Sequence, residues 1–254
     1  MNLAKAIIKK QYHCVFLSPH ADDALLSCAT LLSQLVGKTP ITVINIFIKA
    51  HERPYTLSAK QFMKYSNGYS DAEQLYKHRA KEDQKAFAAL GIVPQNLNME
   101  DALFRRKKKR SFLGKLLPEF DHVYPTYRWH ILSTISVDDY AVSELKKRLT
   151  KYNDNKTLIF APFGLGDHVD HKIVRQVGES LFDNLILYSD FPYNVRSNTY
   201  GKASKEYKEH HLPIEQSKKE QLLRLYETQF EGLFPGGKMP KHDEVFFIKT
   251  TNQL

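Results

Sequence analysis

Two short polar clusters contain the side chains that are best suited to chemistry in this sequence. Each cluster combines imidazoles with carboxylates, and each follows a short apolar run that is typical of a buried strand. The members are His20, Asp22 and Asp23 in the first cluster and His168, Asp170 and His171 in the second. Because the carboxyl ends of parallel strands meet at one edge of a sheet, we expect the two clusters to lie together.

His20, Asp23 and His171 are the candidate metal ligands. His20 and Asp23 are three residues apart at the start of a predicted helix, so both can converge on one point, and His171 can supply a third ligand. Two imidazoles and one carboxylate around an open position are typical of catalytic zinc sites. The same set matches non-haem iron(II) sites, so the ligand types leave the metal open between Zn²⁺, Fe²⁺ and another divalent ion.

Each cluster also has a simpler structural interpretation. Asp22 and Asp23 are typical of a helix N-terminus, where carboxylates interact with the helix dipole. His168 and His171 are compatible with the first turn of an exposed helix. The joint pattern favours a shared site, because both clusters follow strands. The first cluster contains no glycine, which disfavours the Gly-rich loop of a nucleotide-binding protein.

The elements that must position these clusters alternate along the chain. Strands are predicted over residues 12–18, 41–48, 96–99, 157–161, 185–189 and 245–248, and helices over residues 23–36, 71–90, 137–149, 168–182 and 214–230. Ser70 and Ser136 are the predicted N-caps of the second and third helices, and residues 192–213 are a predicted loop. The alternation predicts a single α/β domain over residues 1–254, Rossmann-like, with a mostly parallel sheet and helices on both faces.

Apolar residues show no regular periodicity over residues 102–136, and we interpret this segment as an insertion or lid. Its basic run, residues 105–110, is predicted to be a solvated loop. Aromatic residues around this segment are either a sugar-stacking lid or, more commonly for such a stretch, local packing. They are Phe112, Phe120, Tyr124, Tyr127 and Trp129.

Composition restricts the class of protein. The formal net charge of +9 favours an anionic partner, but no nucleic-acid-binding motif accompanies the basic run, so we expect no nucleic-acid partner. Cys14 and Cys28 lie in apolar runs and are predicted to be buried and unpaired. The apolar cluster near the N-terminus is too short for the core of a signal peptide, and no apolar run is long enough to span a membrane. A cytoplasmic location is therefore expected, whereas the oligomeric state is left open.

The two clusters together resemble the PIG-L/LmbE-like deacetylase family. The resemblance rests on His-x-Asp-Asp after an apolar strand and on the later His-x-Asp-His. It extends to Arg79 and Glu82 in an Arg-x-x-Glu pattern, and to Gln229. The first motif has Ala24 where the family usually has Glu, and the second has Val169 where the family often has Pro.

The resemblance implies an LmbE-like fold and a zinc-dependent hydrolase that removes an N-acetyl group from an amino sugar or glycoconjugate. It implies that His20, Asp23 and His171 bind zinc and that Asp22 is the general base. His168 would stabilise the oxyanion, in a protonated form that Asp170 orients. Arg79 and Asp101 are candidate sugar-binding residues.

The expected partner is a small molecule or glycan that carries an N-acetyl amino sugar, with an anionic group favoured by the basic charge. Two alternatives stay open from the sequence. The first is a zinc amidase that acts on a larger N-acyl group or on a thiol conjugate. The second is a catalytically inactive module that binds an anionic surface through the basic run.

Overall fold

The computed structural model describes residues 3–66, 68–109, 111–125, 131–196 and 206–250. Its strands are β1 (His13–Ser18), β2 (Ile41–Lys49), β3 (Gln95–Glu100), β4 (Thr157–Pro162), β5 (Leu185–Tyr188), β6 (Tyr207–Leu212) and β7 (Glu244–Lys249). They form one sheet in the order β3-β2-β1-β4-β5-β7-β6. Strands β1 to β5 pair in parallel, and β7 is antiparallel to both β5 and β6.

Helices cover both faces of this sheet. They are α1 (Leu3–Lys10), α2 (Asp23–Leu35), α3 (Leu57–Tyr65), α4 (Ala72–Ala88), α5 (Ala141–Leu149), α6 (Val169–Leu181), α7 (Tyr193–Arg196), α8 (Gln216–Leu223) and α9 (Phe230–Leu233). One buried cluster joins α1, α2 and α8 to Phe16 of β1, and a second joins α5 and α6 to Val15. The predicted α/β fold is therefore confirmed.

The strand order places the two polar clusters side by side. β1 lies next to β4, and His13 to Phe16 are in register with Thr157 to Phe160. The chain runs outward from β1 toward β3 on one side and from β4 toward β5 on the other, so the connections diverge between β1 and β4. A crevice opens at the carboxyl ends of the strands at such a point, and both clusters lie there.

The structure corrects the start of two helices. Helix α4 is capped by Asp71, whose side chain accepts a hydrogen bond from Gln74 N, and not by Ser70. Helix α5 begins at Ala141, four residues later than predicted, and Ser136 does not cap it. The Asp139 carboxylate accepts a hydrogen bond from Ala141 N and contacts buried residues of another segment, which delays the start of the helix.

Two predictions for the C-terminal third are also wrong. Within the predicted loop over residues 192–213 the structure has α7 and β6, and residues 197–205 lie outside the described part. The predicted long helix over residues 214–230 is broken after α8. Tyr226 Oη there donates to Asp83, and Thr228 donates to Glu82 from both its backbone N and its hydroxyl, so tertiary contacts replace the helical path.

Helices α1 and α3 were not predicted from the sequence. Each is short, at eight and nine residues, which leaves few turns in which an apolar period can show. Helix α3 has a local start signal, because Thr56 accepts a hydrogen bond from Ala59 N.

The segment over residues 102–136 contributes partly to a third buried cluster, which includes Phe104 and Tyr124. The solvated-loop prediction is wrong for Arg105, which is 1% exposed and pairs with Asp139 and Asp170. Lys108 and Lys109 are exposed, as predicted. Tyr127 and Trp129 lie outside the described residues, so the aromatic lid stays a prediction.

Cys14 and Cys28 are buried free thiols, as predicted, and burial raises the pKa of the Cys14 thiol to about 12. Among the helices of the described ranges, none combines the length and apolar character that crossing a bilayer requires.

Candidate metal and active site

The turn between β1 and α2 holds the first cluster in a defined shape. Ser18 Oγ donates to the carbonyl of His20 at 2.6 Å and accepts from Ala24 N at 3.0 Å. The backbone N of His20 also donates to Asp23 Oδ2 at 2.8 Å. These local bonds orient His20 and Asp23 toward the loop that follows β4.

The three predicted metal ligands come together there. Asp23 Oδ2 lies 3.2 Å from His20 Nδ1 and 3.3 Å from His171 Nε2. Ligand atoms about 2.0–2.1 Å from a tetrahedral zinc ion are about 3.3 Å apart. The donor types and these distances therefore fit a zinc ion.

Two further carboxylates hold the imidazoles from behind. His20 Nε2 lies 3.2 Å from Asp170 Oδ2, and His171 Nδ1 lies 2.6 Å from Asp190 Oδ1. Asp190 Oδ2 also accepts from the backbone N of Gly164 and of Leu165. A carboxylate on the far nitrogen is the usual device that orients a metal-binding histidine. Asp190 was missed from the sequence, although its place two residues after β5 was a usable signal.

These contacts determine the protonation of the two imidazoles when no metal is bound. Burial lowers the pKa of His20, but hydrogen bonds to Asp170 and Asp23 outweigh burial and raise it to about 10. Burial likewise opposes the proton on His171, yet the Asp23 charge and the bond to Asp190 raise the pKa of His171. A divalent cation would occupy the position that these protons hold, so we expect metal binding to release protons.

A second group of candidate ligands in the described residues consists of His20, His168 and Asp170. Arg105 forms an ion pair with the Asp170 carboxylate and a 2.5 Å hydrogen bond to Asp139. A guanidinium beside that carboxylate disfavours a cation at this point. The group of His20, Asp23 and His171 is therefore the better metal site.

The structure places the Asp170 side chain differently from the prediction. Its carboxylate contacts Arg105, His20 and Ala102 N, whereas only its backbone N contacts His168. The hydrogen bond from Asp170 to His168 is therefore made by the backbone N. Arg105 was missed as a site residue because a run of basic residues is usually solvated.

Without a metal, the surroundings of His168 oppose the protonated form that we expected. Burial and the neighbouring His20 charge lower the pKa of His168 to about 3. His168 Nδ1 accepts a 3.2 Å hydrogen bond from Asp170 N, which leaves the ring proton on Nε2. A neutral imidazole in this tautomer is still a hydrogen-bond donor.

Asp22 lies beside the ligands but is not one of them. Its carboxylate is 3.6 Å from Arg79 Nη2. Burial and the Asp23 charge raise the pKa of Asp22 to about 6, against the opposing attraction of Arg79. A carboxyl group with this pKa can accept and return a proton near neutral pH.

The two candidate sugar-binding residues lie on the same side of the site. Arg79 donates to Gln229 Oε1, and its guanidinium lies over the rings of Phe62 and Tyr76. Asp101 accepts a 2.6 Å hydrogen bond from Tyr76 Oη and lies 3.5 Å from His20 Nε2. All eight predicted site residues thus lie in one connected network.

With this geometry established, comparison with known proteins places the chain in a family. Residues 15–182 match the family described as PIG-L, GlcNAc-PI de-N-acetylase. The chain belongs to this family. Membership confirms the predicted PIG-L/LmbE-like family and its enzyme class, an N-deacetylase.

Several known deacetylases resemble this chain over nearly its whole length. The 2'-N-acetylparomamine deacetylase of Niallia circulans is 25% identical over 262 residues, which cover 94% of this chain and 91% of the relative. A zinc-inhibited form of teicoplanin deacetylase has a TM-score of 0.71 at 19% identity, covering 94% of this chain and 99% of that one. The A40926 pseudoaglycone deacetylase has a TM-score of 0.66 at 18% identity, covering 94% and 97%. These structures share the fold.

Proposed function

We propose that this PIG-L chain is a zinc-dependent hydrolase that removes an N-acetyl group from an amino sugar or amino-sugar conjugate. The observation that carries the proposal is the convergence of His20, Asp23 and His171 beside Asp22, a carboxylate that the metal does not need. The relative that acts on N-acetylparomamine supports an N-acetyl amino sugar as the substrate class.

His20, Asp23 and His171 would hold the metal, and Asp170 and Asp190 would keep the two imidazoles in position. When bound, a zinc ion supplies Lewis acidity, which makes water more acidic and polarises an acyl oxygen.

Asp22 accepts the proton of the attacking water and later returns it to the departing amine nitrogen. The Arg79 guanidinium, 3.6 Å away, favours the ionised form of Asp22 against the effect of burial. A positioned general base contributes about a hundredfold to ten-thousandfold in rate.

His168 donates its Nε2 proton to the oxygen that becomes negatively charged when water adds to the acyl carbon. Its tautomer is set by the bond from Asp170 N, so the donor is ready before the substrate binds. A preorganised donor of this kind is typically worth about 3–4 kcal/mol of transition-state stabilisation.

Arg79 and Asp101 bind the sugar in this proposal. The Nε atom of Arg79 is buried and has no hydrogen-bond partner among the described residues. Since an unpaired buried donor is unfavourable, a sugar hydroxyl or a bridging water is a fitting partner.

The decisive experiment combines activity with metal content. Asp22→Asn should retain zinc, measured by elemental analysis, and should release acetate from N-acetylated amino sugars at least about a hundredfold more slowly than wild type. His171→Ala is the matched control, and it should lose zinc and activity together.

Two results would contradict the proposal. Unchanged turnover in Asp22→Asn would remove Asp22 as the base. Release of a longer acyl chain in preference to acetate, across a substrate panel with zinc added, would show an amidase of different specificity.

A further inference from the structure

The loop over residues 105–123 is folded back on itself and anchored in the protein. Its two ends pair, because Lys107 N donates to the carbonyl of Asp121 at 2.7 Å and Val123 N donates to that of Arg105 at 3.0 Å. Arg105 and His122 at these ends are buried. Backbone hydrogen bonds and buried side chains thus join the two ends of the segment.

Internal hydrogen bonds specify the shape of the loop. Asp121 Oδ1 accepts from Ser111 N at 2.7 Å and from Ser111 Oγ at 3.0 Å. Ser111 Oγ in turn accepts from Gly114 N at 3.0 Å. A Cβ at position 114 would overlap the Asp121 carboxylate, so a larger residue there would have to displace this side chain. These bonds connect Ser111 and Gly114 to Asp121 at the other end of the loop.

The outer part of the loop presents large apolar side chains to solvent. Its two consecutive single-turn helices are linked by hydrogen bonds from Leu117 N to Leu113 O and from Phe120 N to Leu117 O. The exposed fractions of the five residues that we define as the apolar tip lie between 53% and 77%. The apolar tip consists of Phe112, Leu113, Leu116, Leu117 and Phe120.

A contiguous patch of large exposed apolar residues typically marks an interaction site. Leu57 adjoins the tip, since its backbone N donates to Glu119 Oε1 at 3.1 Å, and its side chain is exposed too. Burial of this surface against a partner would remove the unfavourable contact with water.

The charge around the tip indicates the chemistry of that partner. Residues 106–121 contain six basic and two acidic residues in the sequence, without Arg105, which is buried between two aspartates. Of the acidic ones, Asp121 is buried and Glu119 accepts the bond from Leu57 N. Apolar residues flanked by lysines are the pattern of segments that insert shallowly into an anionic bilayer.

The loop also starts at the active site. Ala102 N donates to Asp170 Oδ2, and Arg105 pairs with the same carboxylate. The base of the loop therefore contacts a carboxylate of the active site.

We propose that the apolar tip, with Lys108 and Lys109, is a docking surface for an anionic phospholipid bilayer. The apolar side chains enter the interface, and the lysines pair with the lipid phosphates.

Vesicle co-sedimentation of the full chain tests this surface. Wild type should bind vesicles of phosphatidylcholine mixed with phosphatidylglycerol far more tightly than vesicles of phosphatidylcholine alone. The double variant Phe112→Ser/Leu116→Ser should lower the affinity for the mixed vesicles at least about tenfold. Lys108→Glu/Lys109→Glu should lower it about twenty-fivefold, at about a factor of five for each lysine lost.

Matched controls separate this surface from general stickiness and from charge alone. Val93→Ser/Val137→Ser removes two exposed apolar residues elsewhere, and Lys146→Glu/Lys147→Glu makes the same charge change on α5. Both controls should bind as wild type does, and circular dichroism should show that every variant is folded.

Three outcomes would overturn the proposal. In the first, the control variants lose affinity as strongly as the tip variants do. In the second, folded tip variants bind as wild type does. In the third, wild type ignores vesicles and instead forms a dimer that Phe112→Ser/Leu116→Ser dissociates in analytical ultracentrifugation. Hydrolysis of a free amino sugar is measured separately, so failure of docking leaves the proposed chemistry standing.

Discussion

Arg79 and the buried Arg105 set the electrostatics of the individual site residues. Arg79 lies 3.6 Å from Asp22, and Arg105 pairs with Asp170 and Asp139. Asp170 is ionised because the Arg105 charge outweighs burial and lowers the pKa of this carboxyl below its usual range. The two arginines thus keep two neighbouring carboxylates charged where burial alone would neutralise them.

Arg79→Met should shift the acidic limb of the kcat/KM profile to higher pH. Asp22 acts as a base only when it is deprotonated, so activity falls as the pH drops through its pKa. Removing the Arg79 charge removes an attraction that lowers the pKa of Asp22, so the pKa rises and more activity is lost on the acidic side. The measurement is kcat/KM for acetate release as a function of pH.

Arg79→Lys is the matched control for this shift, because it keeps a positive charge near Asp22 and should move the limb less. An acidic limb that stays in place in Arg79→Met, at normal zinc content, would argue against Asp22 as the titrating base. A change in KM alone would instead assign Arg79 to substrate binding only.

At the scale of elements, two strand-to-helix turns and one irregular helix place the site. Helix α2 departs from helical geometry at Cys28, and the backbone N atoms of Thr30 and Leu31 donate to the buried Glu244 carboxylate on β7. Lys219 of α8 lies 3.1 Å from the same carboxylate. These hydrogen bonds therefore connect α2, the helix that follows the first cluster, to strand β7.

The N-cap of α4, the helix that carries Arg79, gives a prediction at this scale. Asp71→Ala should lower the free energy of unfolding by about 1 kcal/mol, because Asp71 Oδ1 accepts a 3.0 Å hydrogen bond from Gln74 N. Urea unfolding measures the change. Ser70→Ala, one residue earlier, should have little effect. A larger loss of unfolding free energy in Ser70→Ala than in Asp71→Ala would show that Ser70 is the N-cap.

At the scale of the whole molecule, a buried polar network connects distant parts of the chain. Asp83 of α4 accepts hydrogen bonds from Tyr226 Oη at 2.7 Å and from Asn45 Nδ2 of β2 at 2.6 Å. Burial raises the pKa of Asp83 to about 7. The network joins α4 to the sheet and to the segment after α8, so its protonation affects global stability.

Asp83→Asn should change the pH dependence of stability. The folded pKa of about 7 lies above the value of about 3.9 in an unfolded chain, so the folded state binds more protons between these values. The contribution of Asp83 to stability is therefore present at low pH and is lost as the pH rises toward about 7.

Urea unfolding of wild type and Asp83→Asn at about pH 5 and about pH 8 measures this effect. The variant cannot titrate at this position, so its stability relative to wild type should improve by a few kcal/mol at the higher pH. An equal difference at both pH values would show that Asp83 is already ionised in the folded protein at the lower one.

Local patterns in the sequence were sufficient for the fold class and the candidate ligands. Apolar periodicity marks strands and helices because burial repeats with the period of each element. Polar residues directly after strands mark the sheet edge where sites form, which is why His20, Asp23 and His171 could be grouped without coordinates.

Long-range contacts decided the rest. Arg105 is buried because Asp139 and Asp170 lie beside it, and neither residue is near it in the chain. For the same reason, Asp190 became visible as the partner of His171 only in three dimensions. Periodicity reports which face of an element is buried, but the partner of a buried charge depends on how separate elements pack, and only the tertiary structure contains that information.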